Sequence, residues 1–468
     1  MTKPVIMWFR QDLRLSDHPA LTAAAAAGPV IPVFILDDEG PGDWRWGGAS
    51  RWWLHKSLEA LGRTVPLVLR KGRTETVLEE LLAETGAVAL YFSRDHAPWS
   101  GAMEMRVKSL CERRAVAGHR FGGIMLHEPE SIRNSSNEYF KVYTPFARAC
   151  NAKGEPRTAK PPAKVSWLAD AAKSDVLSDW ALHPTYPDWA SGLDINWQPG
   201  EMAAQKRLFS FLEEGLKGYA DGRDRADQHF TSRLSPHLHW GEISPFQVWQ
   251  ATRKRMAESA GALDRDGEKF LSELLWREFA YHLLHHAPTF PDSPFRSEFA
   301  EFPWRHDPAA LERWQRGETG YPIVDAGMRE LWSTGFMHNR VRMVTASFLV
   351  KDLLIPWQLG ARWFWDTLVD ADIASNSASW QWVAGCGADA APYFRVFNPV
   401  LQGAKFDPDG SYVRRWLPEL NDVPADFIHK PWTMALPPRG YPAPMLDHDK
   451  ARRRALAAYK HMRTGHSP

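Results

Sequence analysis

Cysteine is scarce: Cys111, Cys150 and Cys386 are the only three, scattered along 468 residues. An odd, dispersed set builds no disulfide framework, and its spacing suits no zinc site. No metal is expected, and a reducing compartment is the natural setting. Long apolar runs are also missing. None approaches the roughly eighteen residues that span a bilayer. The apolar stretch in the opening MTKPVIMWFRQDLR is too short for a signal segment and is broken at once by charge. A cytoplasmic protein without membrane contact is expected. Charge of one sign is not in excess: 57 Lys+Arg stand against 56 Asp+Glu, a net +1. Any nucleic-acid surface must therefore be a local basic patch. No G-x-G-x-x-G follows the first strand-like run, so that dinucleotide fingerprint is absent there. No repeat of fixed period is visible.

What is present is an ordinary globular balance, 44% apolar and 24% charged, which excludes a disordered or fibrous chain. Tryptophan is the exception, with 23 residues against 11 Tyr. Large cores with amphipathic edges account for most such indoles, and stacking or redox roles for the rest.

The first third alternates short apolar runs with helical segments. Strands are expected at 5–9, 30–36, 65–69 and 88–92, and helices at 19–27, 50–61, 74–85 and 101–118. That alternation predicts a doubly wound parallel sheet. From about 131 to 200 the chain turns Pro-, Lys- and Gly-rich and reads as a long interdomain linker. From 201 to 468 the spacing is helical almost throughout, with helices expected at 205–216, 245–258, 267–286, 308–317, 321–334, 339–354 and 360–370, giving an all-α domain.

Four segments carry candidate chemistry. Thr231-Ser-Arg-Leu-Ser-Pro offers hydroxyls and an Arg before a helical stretch. It suits phosphate oxygens, or it is a plain helix cap with Pro236 in the first turn. Glu273, Trp276 and Arg277 share a helix face. They form either a pocket wall for a base or an amphipathic helix with a Glu273–Arg277 pair. Met337-His-Asn339-Arg340-Val-Arg342-Met343 leads into an apolar run, where buried Arg would need partners. In Asp370-Ala-Asp372 through Trp382, a helix would set Asp372, Asn376 and Trp380 at i, i+4, i+8, drifting about 40° per step. Trp382 then lies about 200° round from Trp380. Arg395 follows in an aromatic-rich loop of the type that suits single-stranded nucleic acid.

Across nearly its whole length the chain resembles the cryptochrome/photolyase family, most closely its members that repair cyclobutane pyrimidine dimers. The matching motifs are Trp8–Arg14, Thr231–Pro236, Trp276-Arg-Glu-Phe, Thr319–Arg329, Met337–Arg340, Asp370–Trp382 and Phe397–Asp407, seven in the family's order. The resemblance implies an α/β domain at 1–130, the linker at 131–200, and a helical FAD-binding domain at 201–468. It implies a monomer that acts on DNA. It places Tyr219, Thr231, Ser232, Arg233, Leu234 and Ser235 at the FAD phosphates. Arg277, Arg342 paired with Asp370, Asp372 and Asn376 belong with the cofactor, Asn376 opposite flavin N5. Plant-type cryptochromes carry Asp there, so Asn376 points to repair. Trp380, Trp357 and Trp304 match the family's electron-transfer chain. Glu273 matches the carboxyl group that hydrogen-bonds the thymine edge, and Trp276 and Trp382 the wedging indoles. Asn339 and Met343 stand where relatives acting on the six-four photoproduct place two His, which favours cyclobutane splitting. Arg223, Arg340 and Arg395 match DNA-phosphate contacts. The family often binds a second, antenna chromophore, a folate or a deazaflavin, yet 39–48 and 93–99 match no antenna pattern.

Overall fold

The computed structural model describes residues 3–184, 186, 188–390 and 395–464. The chain divides into two compact units. One comprises Met1–Phe140, Thr144–Lys217 and Ser232–His286; the other comprises Lys141–Tyr143, Gly218–Thr231 and Ala287–Pro468.

The first unit is built on five parallel strands, β1 (Val5–Phe9), β2 (Val30–Leu36), β3 (Val68–Lys71), β4 (Ala89–Ser93) and β5 (Ala117–Phe121), in the order β3-β2-β1-β4-β5. Every residue of β1 and β2 is buried, as expected for strands covered on both faces. The crossovers are α1 (Pro19–Ala27), α2 (Gly48–Gly62), α3 (Thr74–Thr85) and α4 (Ser100–Arg113). His18 caps α1, its ring accepting the Leu21 N–H at 3.3 Å, with Pro19 preset for the first turn.

Two sequence expectations shift here. The strand expected at 65–69 starts at Val68, because the Val65 N–H still bonds back to the Leu61 carbonyl. The helix expected to run to 118 stops at Arg113. Ala115 then takes a positive φ of 49°, and the chain enters β5, which periodicity did not predict. As an edge strand with one neighbour, β5 keeps the exposed sequence AGHRF and carries no apolar run.

The unit continues with a helix at Tyr143–Ala152, which straddles the division, and an irregular stretch that touches the sheet where Val30 donates to the Ser166 carbonyl at 2.8 Å. It ends in α5 (Glu201–Ser210), α6 (Pro245–Glu258) and the 23-residue α7 (Asp264–His286). Ser244 and Gln247 close a capping box on α6.

The second unit is helical: α8 (Pro308–Gln315), α9 (Pro322–Thr334), α10 (Asn339–Ser347), α11 (Trp357–Thr367), α12 (Ile373–Ala384), α13 (Pro399–Phe406) and α14 (His448–Thr464). The helix expected over 339–354 ends its regular turns at Ser347 and widens into a π-type segment, Phe348–Asp352. Trp314, Trp357 and Trp380 are fully buried in this unit, among a core that is otherwise mainly aliphatic.

Candidate functional site

In the first unit, α7 presents Glu273 and Trp276 on one face. Trp276 is 37% exposed, an unusual state for the largest apolar side chain, with its ring edge-on to Phe279 at 6.0 Å. Glu273 is half-buried one turn away and pairs with Lys269 at 3.3 Å. The Glu273–Arg277 pair weighed from spacing is replaced by this i,i+4 bridge. Arg277 instead donates to the Ile124 carbonyl at 2.9 Å and covers the Tyr281 ring at 5.0 Å. Its neighbour Glu278 is fully enclosed and accepts the Leu126 and His127 N–H groups at 3.0 and 2.9 Å. Burial pushes the Glu278 carboxyl up to about 7, against the pull of Arg277.

The segment Ser232–Ser235 lies in the same unit. Ser235 opens a short helix, Ser235–His239, with Pro236 in its first turn; the cap position is Leu234, and no side chain caps the helix. Arg233 holds a left-handed φ of 52°, costly for any residue with a Cβ. Its guanidinium lies 4.3 Å over the Trp197 ring. Thr231 falls in the second unit, with Tyr219 and Arg223.

In the second unit, α10 begins at the expected Asn339. Its cap is His338, whose ring accepts the Arg340 N–H at 3.2 Å. Asn339 is exposed and Met343 half-buried. Arg340 pairs with Asp224 at 2.5 Å and sits 4.6 Å over Phe406. Arg342 donates to both oxygens of Asp370, at 2.9 and 3.0 Å, and to the Met337 carbonyl at 2.7 Å. The buried-charge question raised by the sequence is thereby answered: the cation has a bidentate partner.

One expectation needs correction. Asp370 and Asp372 precede α12 rather than lying on it. Asp372 is the N-cap, its carboxylate accepting the Ser375 N–H at 2.7 Å, so the stripe of three reduces to Asn376 and Trp380. The Asn376 amide donates to the Ala361 carbonyl at 3.0 Å, which fixes which way the carboxamide points. Trp380 packs edge-on to Phe364 at 5.0 Å and Trp314 at 6.2 Å, over Gly360. A Cβ at Gly360 would come within 2.1 Å of the Trp380 ring. Trp382 is half-buried, the other side of the pair foreseen from the helix angle. Between them, buried Gln381 donates to the Phe290 and Ser293 carbonyls and accepts the Phe295 N–H, tying 290–295 to α12. Trp357 is buried, and Trp304 is half-exposed and 4.4 Å from Phe302. Arg395 is exposed; its backbone carbonyl accepts from buried Lys351. The aromatic part of its loop, 391–394, lies outside the described residues.

Comparison with known proteins gives the family. Residues 5–164 match the DNA photolyase family, and residues 270–461 match the FAD binding domain of DNA photolyase. A deoxyribodipyrimidine photo-lyase of Agrobacterium fabrum is 49% identical over 98% of each chain. The chain belongs to the DNA photolyase family. A crystal structure of a bacterial class III photolyase from Agrobacterium tumefaciens superposes with a TM-score of 0.95 at 47% identity, covering 99% of this chain and 98% of that one. Arabidopsis thaliana Cryptochrome-1 is 36% identical over 98% of this chain and 70% of its own length. The expected fold, a parallel α/β domain plus a helical FAD-binding domain, is the fold of this photolyase.

The residues present fit FAD. Within the second unit, the Arg342–Asp370 pair and the oriented Asn376 carboxamide are charged and polar groups of the kind a polar heterocycle requires. In this chain the carboxyl ends of β1 and β4, where the strand order reverses, are laced by Arg10. It bonds Glu104 at 2.6 Å, Asp95 at 3.2 Å and Ser100 at 3.3 Å. Ligands of open α/β sheets favour that switch point. Among the described residues, no helix is long and apolar enough to cross a membrane. His338, Gly360 and Gln381 were not foreseen. A His is not among the preferred caps, and neither a close-packed Gly nor a buried Gln leaves a periodic trace.

Proposed function

We propose that this protein uses light to repair cyclobutane pyrimidine dimers in DNA. The observation that carries this reading is the exposed Trp276 indole, one helical turn from the Glu273 carboxyl. Such a face can stack on an extruded base and hydrogen-bond its edge. Bound FAD, reduced and excited by blue or near-ultraviolet light, would lend one electron to the dimer and regain it once both cyclobutane bonds have broken, leaving no net redox change. The protein supplies position, electrostatics and water exclusion.

Extruding the dimer from the duplex costs a few kcal/mol, less than for a normal pair because the lesion stacks and pairs poorly. Trp276 and Trp382 offer the replacement stacking. Glu273 hydrogen-bonds the thymine carbonyl edge and offsets negative charge that develops there. Asn339 and Met343 contact the pyrimidines and donate no readily transferable proton. That chemistry suits ring opening and not the proton transfer that a six-four photoproduct demands. Arg223, Arg340 and Arg395 contact backbone phosphates and supply affinity without sequence choice. Tyr219, Thr231, Ser232, Arg233, Leu234 and Ser235 hold the FAD phosphates. Arg342 with Asp370, Asp372 and Asn376 hold the flavin end, and Arg277 steadies the adjoining chain through Ile124. Trp380, Trp357 and Trp304 form the electron path to the surface. In this scheme 1–130 is the accessory domain and carries any folate or deazaflavin antenna, 131–200 the linker, and 201–468 the catalytic domain, all in a cytoplasmic monomer.

A cryptochrome-type photoreceptor is the second reading, since the similarity to Cryptochrome-1 spans 98% of the chain. The neutral Asn376 and the Glu273/Trp276/Asn339/Met343 set favour repair. Two oligonucleotides decide, one with a thymine cyclobutane dimer and one with a six-four photoproduct, each bound in the dark and then illuminated with reduced holoprotein. Tighter binding and repair of the cyclobutane dimer alone are expected. Equal binding to damaged and undamaged DNA, with neither lesion repaired, overturns the reading in favour of a photoreceptor.

A further inference from the structure

His338 is 5% exposed and directly precedes Asn339 and Arg340, both assigned to DNA. Its Nδ1 accepts the Arg340 N–H at 3.2 Å and so caps α10, whose first residue is Asn339. With Nδ1 accepting, the neutral ring carries its proton on Nε2. The Arg223 backbone carbonyl and the Asp224 carboxylate both act on that ring. Asp224 is also the ion-pair partner of Arg340. The backbone of His338 is held separately. Its N–H donates to Glu330 Oε2 at 3.3 Å, and the same oxygen accepts the Tyr412 hydroxyl at 2.6 Å. The imidazole thus caps the first turn of α10, while the Asp224 carboxylate near it holds the Arg340 guanidinium. Arg340 and Arg342 also face the ring and, with its burial, oppose a charge there. Burial is the larger effect, and the ring is held down to about 4 despite Asp224. It stays an acceptor throughout the neutral range, which a helix cap requires.

We propose that His338 is a positioning residue for DNA: its ring, as the cap of α10, sets Asn339 and Arg340 in register for the damaged strand. The proposal rests on the reading that those two residues contact DNA. It caps the helix without adding a negative charge beside the phosphates, as an Asp would.

The test is dark binding of a dimer-bearing oligonucleotide to the FAD-loaded protein over a range of KCl, with FAD absorbance and thermal melting as controls. His338→Ala removes the acceptor. It is expected to weaken binding roughly tenfold, the scale of a lost cap. It should also flatten the slope of log K against log salt by about one, the signature of one displaced phosphate contact. His338→Asn restores a short acceptor and should recover binding to within about threefold. His338→Gln, too long to cap, should behave as Ala and replaces it if the Ala variant does not fold. Wild-type affinity and slope in the Ala or Gln variant overturn the proposal. So does an Asn variant as weak as Ala. Wild-type protein that binds damaged and undamaged DNA alike removes the reading beneath it, an outcome distinguishable because no variant enters into it.

Discussion

Glu273 and Trp380 separate the two photochemical tasks this protein is proposed to perform. Glu273→Ala leaves the Arg342–Asp370 pair and Asn376 untouched, so FAD absorbance should be unchanged. Repair yield under illumination should fall roughly ten- to hundredfold, the scale of a lost hydrogen bond to developing charge. Trp380→Phe should abolish photoreduction of oxidised FAD, read by steady-state absorbance, yet spare repair by chemically reduced protein. Loss of both activities would contradict a pure relay. Gly360→Ala tests the seat of that indole. Its Cβ would stand 2.1 Å from the Trp380 ring, so the thermal midpoint should drop by the equivalent of about 1–3 kcal/mol. At this scale the sequence was informative wherever spacing on one helix decides exposure. Trp380 buried beside a half-buried Trp382, and Trp276 exposed near Glu273, follow from angles around an axis. Partners distant in sequence did not follow. The Asp224–Arg340 pair and the Asn376–Ala361 bond depend on packing that no local pattern records.

Elements with two-sided burial or strong caps were legible, and exposed or strained ones were not. β1, β2, α1, α3 and α6 fall where apolar runs, Pro and Gly place them. β5 was missed because an edge strand needs no apolar alternation. The end of α10 was missed because a π-type widening keeps helical periodicity. The long α7 carries its own test. Glu278 is raised from an ordinary 4.5 to about 7 by burial, so the folded state holds a proton that the unfolded state releases first. The stabilisation is complete below about pH 4.5 and is lost as pH rises through about 7. Urea unfolding should lose up to about 3 kcal/mol across that window. The Glu278→Gln variant should be nearly flat over it. Parallel curves for the two proteins would contradict the assignment.

For the whole molecule, similarity over 98% of the chain to a photo-lyase, and over the same share to a cryptochrome, means that fold alone does not choose between repair and signalling. The choice rests on side chains, and it separates the outcomes of a single experiment. Reduced, FAD-loaded protein is mixed with a thymine-dimer oligonucleotide without oxygen, divided, and held in blue light or in darkness. Chromatography then counts the intact thymines. The account predicts conversion of the dimer to two thymines in the light and none in the dark. A dimer that survives illumination at full occupancy, or one that opens equally in the dark, would contradict it.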